Sequence, residues 1–181
     1  MAVKDTQDAT VSTKSGLFIS VVGNLSRLSG WISAAMIVAA VAITCQMIFV
    51  RSVLNLSTTW QTELVVYLMV AATLLGLPYV QQLRGHVNVD LIPLLLPMPF
   101  RKALFVITLS LSLVIIAVMV YYGFDYWHVA FERNWKSDTI WGVRLWIPYL
   151  ALPVGFGLLF LQLLADLTAV VTGVEKPFGL E

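Results

Sequence analysis

Few residues of this chain could do chemistry, and their positions narrow what that chemistry would be. Glu63 stands directly before Leu64–Leu83, a stretch without Asp, Glu, Lys, Arg or His. A carboxylate inside a membrane helix is a candidate proton or cation carrier. Glu63 lies only five residues past Thr58, within about two helical turns of the stretch's outer end. At that depth it reaches water, or pairs with Arg51 at the end of the preceding stretch. It cannot meet Arg84, because 21 residues of helix separate the two by about 31 Å. Two readings of Glu63 stay open here: a structural or interfacial carboxylate, and an ion carrier.

Its neighbours sharpen the question. On a helical wheel Trp60, Glu63 and Tyr67 fall within about 60° of one another. Ala72 and Gly76, a small-xxx-small pair suited to close helix packing, lie roughly 140–180° from Glu63. The spacing thus predicts a helix with two contact faces, one for its own bundle and one for something else. His86 and His128, the two histidines, fall on opposite sides of the membrane in the topology below, which excludes haem ligation by a transmembrane pair and argues against a shared metal site. Cys45 is alone, so disulfide-exchange chemistry, as in quinone-linked thiol oxidases, is excluded. Arg84, His86 and Asp90 form a polar cluster that reads either as a solvated, capped loop or as a docking point for a partner. Asp125 with Arg144, and Asp166 with Arg101 or Lys102, are same-side pairs able to tie helix ends together. No phosphate loop, zinc motif or paired serine and histidine occurs, and no cofactor is expected.

The elements that must position these residues follow from charge spacing. Of 181 residues, 59% are apolar and 12% charged, about half the charged fraction of a soluble domain. Four stretches are free of charge and histidine: Leu28–Val50, Leu64–Leu83, Ala103–Phe124 and Leu145–Ala165. Each reaches the roughly 20 residues that cross a bilayer core of about 30 Å. The segments outside them are at most 27 residues long, short of the roughly 40 an independent core needs. The fold class expected is an all-α membrane protein, four transmembrane helices plus short interfacial amphipathic helices. A separate soluble catalytic or binding domain is excluded.

Three regions result: residues 1–27, a cytoplasmic tail with an interfacial helix; 28–165, the four-helix membrane domain; and 166–181, a cytoplasmic C-terminal tail. Leu17, Phe18, Val21, Val22, Leu25 and Leu28 recur at helical spacing, so residues 17–28 are expected to lie on the membrane before the chain turns in. This N-terminal segment reads as retained, not as a cleaved signal. Thr58 and Gln61 predict a capping box at the start of the second helix. Asp90 and Pro97 bound a short interfacial helix over 91–96. The third connection, Asp125–Arg144, is expected to continue the third helix before turning back. Seven Lys and Arg fall on the side of both termini and four on the other, which places both termini in the cytoplasm. Trp31 marks the inner surface and Trp60, Trp127, Trp141 and Trp146 the outer.

Trp60-Gln-Thr-Glu63, Gly76, Arg84-Gly-His86-Val-Asn-Val-Asp90 and Pro97 together resemble the signature of the small membrane subunit, the DctQ-like family, of tripartite ATP-independent periplasmic (TRAP) transporters. Pro148 and Leu152-Pro-Val-Gly-Phe156 are similar to that family's last helix. The resemblance spans roughly residues 25–170. It implies a four-helix subunit of a bacterial inner membrane, surrounded by membrane lipids and packed against a large permease subunit, with a periplasmic solute receptor delivering an organic acid. The large subunit would hold the substrate and sodium sites and move like an elevator, while the small one broadens the stationary part. Trp60, Glu63, Gly76, Arg84, His86 and Asp90 would then be structural or interface residues, as would Tyr67 on the Glu63 face, and none would be catalytic. The chain has no evident transport pathway of its own, which agrees. The rival reading is a self-sufficient small cation- or proton-coupled transporter using Glu63; a membrane enzyme has no motif to support it.

Overall fold

In a computed structural model the chain is helical, and four of its helices are long and apolar enough to cross a membrane. The structure describes residues 2–83 and 97–171, and the side chains of these other than 2–15, 98, 99, 101 and 102. Helix α1 runs Ala2–Val53, α2 Thr59–Gln82 and α3 Met98–Glu132; α4, Trp146–Tyr149, leads directly into α5, Ala151–Val171. The chain is an all-α membrane protein.

The first difference from the expectation lies in α1. It passes Arg27 and Leu28 without a break, so the chain makes no turn between an interfacial piece and the first span. The residues explain this: no proline interrupts the segment, and Ser29 donates to the Ser26 carbonyl at 2.8 Å without leaving the helix. Of the stripe expected to rest on the membrane, Leu17, Phe18, Val21, Leu25 and Leu28 are exposed but Val22 is buried, together with Ser26, Ser29, Ser33 and Ala40. In lipid that arrangement is the stable one. Apolar side chains lose nothing by facing acyl chains, and small or hydroxyl side chains let helices approach and bond.

Helix α2 lies between α1 and α5, while α3 packs on α5. Against α1, Ser33 donates to the Ala72 carbonyl at 2.6 Å, and a Cβ built on Gly76 would sit 3.0 Å from Ser33 Oγ. Against α5, a Cβ on Gly155 would come within 2.9 Å of the Leu74 carbonyl carbon and oxygen. Pro78 is inside α2 and has no N–H for the carbonyl four residues back, that of Leu74. The close approach of α5 therefore falls where the α2 ladder is already open. Leu109 and Leu113 of α3 meet Leu159 and Leu163 of α5 in the apolar core. Only 6% of the apolar window of α3 is buried against 39% for the last span, so α5 is the hub and α3 the edge.

The start of α2 is where the sequence places it, but Thr58 makes no side-chain cap. Its carbonyl instead accepts from the Thr62 backbone and hydroxyl, at 3.3 and 3.0 Å. Gln61 is buried, and its Oε1 has no hydrogen-bond partner among the described residues. Helix α3 continues through Asp125 to Glu132, as the third connection predicts. The short helix expected over 91–96 lies outside the described residues.

Candidate functional site

Two polar assemblies stand at opposite ends of the bundle, named outer and inner after the orientation expected from the cation bias. The outer one is built on the first turns of α2. Tyr67, one turn beyond Glu63, donates its hydroxyl to Glu63 Oε1 at 2.5 Å. The other carboxylate oxygen accepts from the hydroxyl of Thr139, 76 positions away in sequence. Thr139 belongs to a hairpin that follows α3. Leu145 donates to the Trp135 carbonyl and Ser137 to that of Val143, both at 2.9 Å, and Lys136 faces Arg144 across an antiparallel bridge. Gly142, at φ +58°, closes the turn by donating to the Thr139 carbonyl at 3.0 Å. Ser137 Oγ lies 3.0 Å from Thr139 Oγ1 and orients it. Trp60, on the same flank of α2, stacks obliquely on Trp141 with centroids 6.3 Å apart.

Trp60, Glu63 and Tyr67 thus share a face, and that face meets the chain's own hairpin. Further in, Leu74 on the same flank meets Gly155 of α5. The face predicted for something outside the bundle is occupied internally over these residues. The exposed surface of α2 is a third stripe that includes Val66, Met69, Val70 and Val80. Arg51, the alternative to water as the contact expected for Glu63, lines a hollow with Leu56, Ser57, Thr58, Thr59 and Thr62.

The inner assembly joins three helices. Ser26 of α1 donates to Gln162 Oε1 at 2.7 Å, Gln162 donates to Asp166 Oδ1 at 2.8 Å, and Gln81 of α2 donates to Asp166 Oδ2 at 2.8 Å. Sequence reasoning sought the Asp166 partner at Arg101 or Lys102, whose side chains lie outside the described ones. The missed signal was Gln162, the sole amide in Leu145–Ala165 and four residues before Asp166. Residues at that spacing share one helix face.

Arg84, His86 and Asp90 lie outside the described residues. His128 stacks on Phe124, with centroids 6.1 Å apart, and its Nδ1 is 3.8 Å from a Glu132 oxygen. Among the described residues no group of three His, Cys, Asp or Glu could hold a metal ion. The Glu63 carboxylate accepts from hydroxyl donors on both oxygens, an arrangement that fastens a loop to a helix.

Comparison with known proteins brings in the family. The family described as "Tripartite ATP-independent periplasmic transporters, DctQ component" matches residues 40–173. The matched region contains α2, α3, the hairpin and α5, and so the whole outer assembly. Among curated proteins, the chain is 26% identical over 124 residues to the C4-dicarboxylate TRAP transporter small permease protein DctQ of Pseudomonas aeruginosa strain PAO1. That alignment covers 67% of this chain and 59% of the relative, so the chain spans about three-fifths of the relative's length.

Proposed function

The chain belongs to the DctQ component family of the TRAP transporters, and from that premise we propose that it is the small permease subunit of such a transporter, a fixed scaffold packed against a large permease subunit. The assembly would carry out sodium-driven uptake of an organic acid handed over by a periplasmic receptor. The relative's name specifies C4-dicarboxylates, which fits that substrate class. In this reading the large subunit and the receptor hold the specificity, and this chain holds neither substrate nor sodium. It sits in a bacterial inner membrane with both termini cytoplasmic, the orientation the cation bias favours.

The observation that carries the reading is how the polar groups are spaced. Glu63 and Gln81 mark the two assemblies, and 18 residues of α2, about 27 Å, separate them. Between them α2 offers the hydroxyls of Tyr67, Thr73 and Tyr79, of which Tyr67 is bonded to Glu63 and Thr73 to the Met69 carbonyl. An ion or proton crossing alone needs polar stepping stones through the hydrocarbon layer. Here the polar residues fasten helix ends together, which suits a rigid wall beside a moving part.

Glu63→Gln tests this against the self-sufficient carrier. The amide keeps the shape and an oxygen acceptor but cannot take up and release a proton or balance a cation. The scaffold reading predicts an assembled complex whose uptake stays within a few-fold of the parent, or reduced uptake in proportion to lost assembly. Full assembly with complete loss of coupled uptake would contradict it and favour the carrier.

A further inference from the structure

The hairpin after α3 carries its most exposed apolar residue at its tip. Ile140 is 97% exposed, and Trp141 and Trp60 beside it are each well over a third exposed. A loop tip projecting into water would leave this group uncovered, at a hydrophobic cost. The hairpin does not project. The Thr139 hydroxyl holds the tip to Glu63, which is four residues, about 6 Å, inside α2. Ile140 and Trp141 are the two central residues of the turn closed by Gly142, and they border a hollow with Ser57, Thr59 and Trp60, at the start of α2. The tip is folded down along the flank of a spanning helix, level with its first turn.

We propose that Ile140 and Trp141, together with Trp60, are embedded in the outer headgroup layer of the bilayer and form an interfacial anchor whose depth is set by the bond from Thr139 to Glu63. The occupant of this surface is phospholipid. The chemistry around the tip fits it: indole rings favour the boundary between acyl chains and headgroups, and Trp60, Ile140 and Trp141 border a hollow of about 570 Å³ with Ser57 and Thr59 hydroxyls at its rim. Arg133, Lys136 and Arg144 lie in or beside the hairpin as cations able to meet lipid phosphates, and of the nearby anions Glu132, Asp138 and Glu63 the last is already engaged by hydroxyl donors. Val66, exposed one turn further in, borders the groove beside the same hairpin and continues the apolar surface towards the acyl layer. The proposal requires only that the helices span a bilayer, with the leaflet set by the orientation proposed above. It holds whether or not the chain scaffolds a larger permease.

The test uses the full chain, with any subunit that purifies with it, in nanodiscs of phosphatidylethanolamine and phosphatidylglycerol. A nitroxide is attached at Ile140→Cys in a Cys45→Ala background, and its collisions with oxygen and with a water-soluble nickel chelate are compared. An oxygen-to-nickel ratio well above that of a label in water, and below that of a label at Val114→Cys on the exposed face of α3, is expected. Adding Thr139→Val should lower the ratio by freeing the tip. A ratio at Ile140→Cys equal to that of a label in water would overturn the proposal, because the tip would then stand clear of the headgroups. A label shielded from both reagents would overturn it as well, since protein would then cover the tip; that outcome would leave the scaffold reading intact. Should the labelled chain fold poorly, Trp141→Phe gives a second measurement. The emission it removes should be the part that lipids brominated near the headgroup quench most strongly, and unquenched emission would contradict the anchor.

Discussion

Among single residues, two carboxylates accept hydrogen bonds on both of their oxygens. Glu63 holds a hairpin and Asp166 holds helix ends, and the residues that serve them can be removed one at a time. Gln162 is buried, accepts from Ser26 and donates to Asp166. Gln162→Leu keeps the volume and deletes both bonds, leaving the buried Ser26 hydroxyl without this acceptor. A loss of about 1–3 kcal/mol of bundle stability is predicted, read as a lower thermal midpoint in detergent. An unchanged midpoint would mean the inner assembly does not hold the helices. Tyr67→Phe should be milder, because Thr139 still donates to Glu63. The expected sign is a hairpin more open to protease, with the bundle midpoint nearly unchanged.

At the scale of elements, the closest approaches separate backbone contacts from side-chain contacts. A methyl group at Gly155 would meet the Leu74 backbone, which cannot move without displacing α2. At Gly76 it would meet the Ser33 hydroxyl at 3.0 Å, a group that can rotate if it releases the Ala72 carbonyl. Gly155→Ala is therefore predicted to destabilise by about 1–3 kcal/mol, and Gly76→Ala by clearly less. Equal effects in a thermal melt would contradict this ranking. The four spans were legible because a charge-free stretch marks the hydrocarbon core. Their helix lengths were not: the helices run Ala2–Val53, Thr59–Gln82, Met98–Glu132 and, after the short Trp146–Tyr149, Ala151–Val171, since helices carry their charged residues past the core into the interface. The shared face of Trp60, Glu63 and Tyr67 was readable from spacing alone. What covers it was not, because Thr139 lies 76 residues away and helical periodicity carries no information about such pairs. The reversal in α1 has a similar cause. Amphipathic spacing shows that two faces differ, but whether lipid or protein takes the apolar one depends on neighbours elsewhere in the chain.

For the whole molecule, the exposed apolar surface of α3 and the outer stripe of α2 leave much of the bundle to be covered by lipid or by another subunit. With the orientation proposed above, a cysteine replacing Lys14 in a Cys45→Ala background should react with an impermeant maleimide only after the inner membrane is opened. One replacing Asp138, which is exposed beside the hairpin tip, should react in intact spheroplasts. The opposite pattern would invert the topology. In the scaffold reading this chain works only as part of a larger permease, and co-purification shows whether that partner exists. The chain is tagged, expressed with its native neighbouring genes and isolated in mild detergent, and the proteins retained are identified by mass. A large multi-span membrane subunit at constant stoichiometry is the predicted result. Recovery of this chain without any large membrane partner, together with coupled uptake by the chain alone in liposomes, would contradict the account.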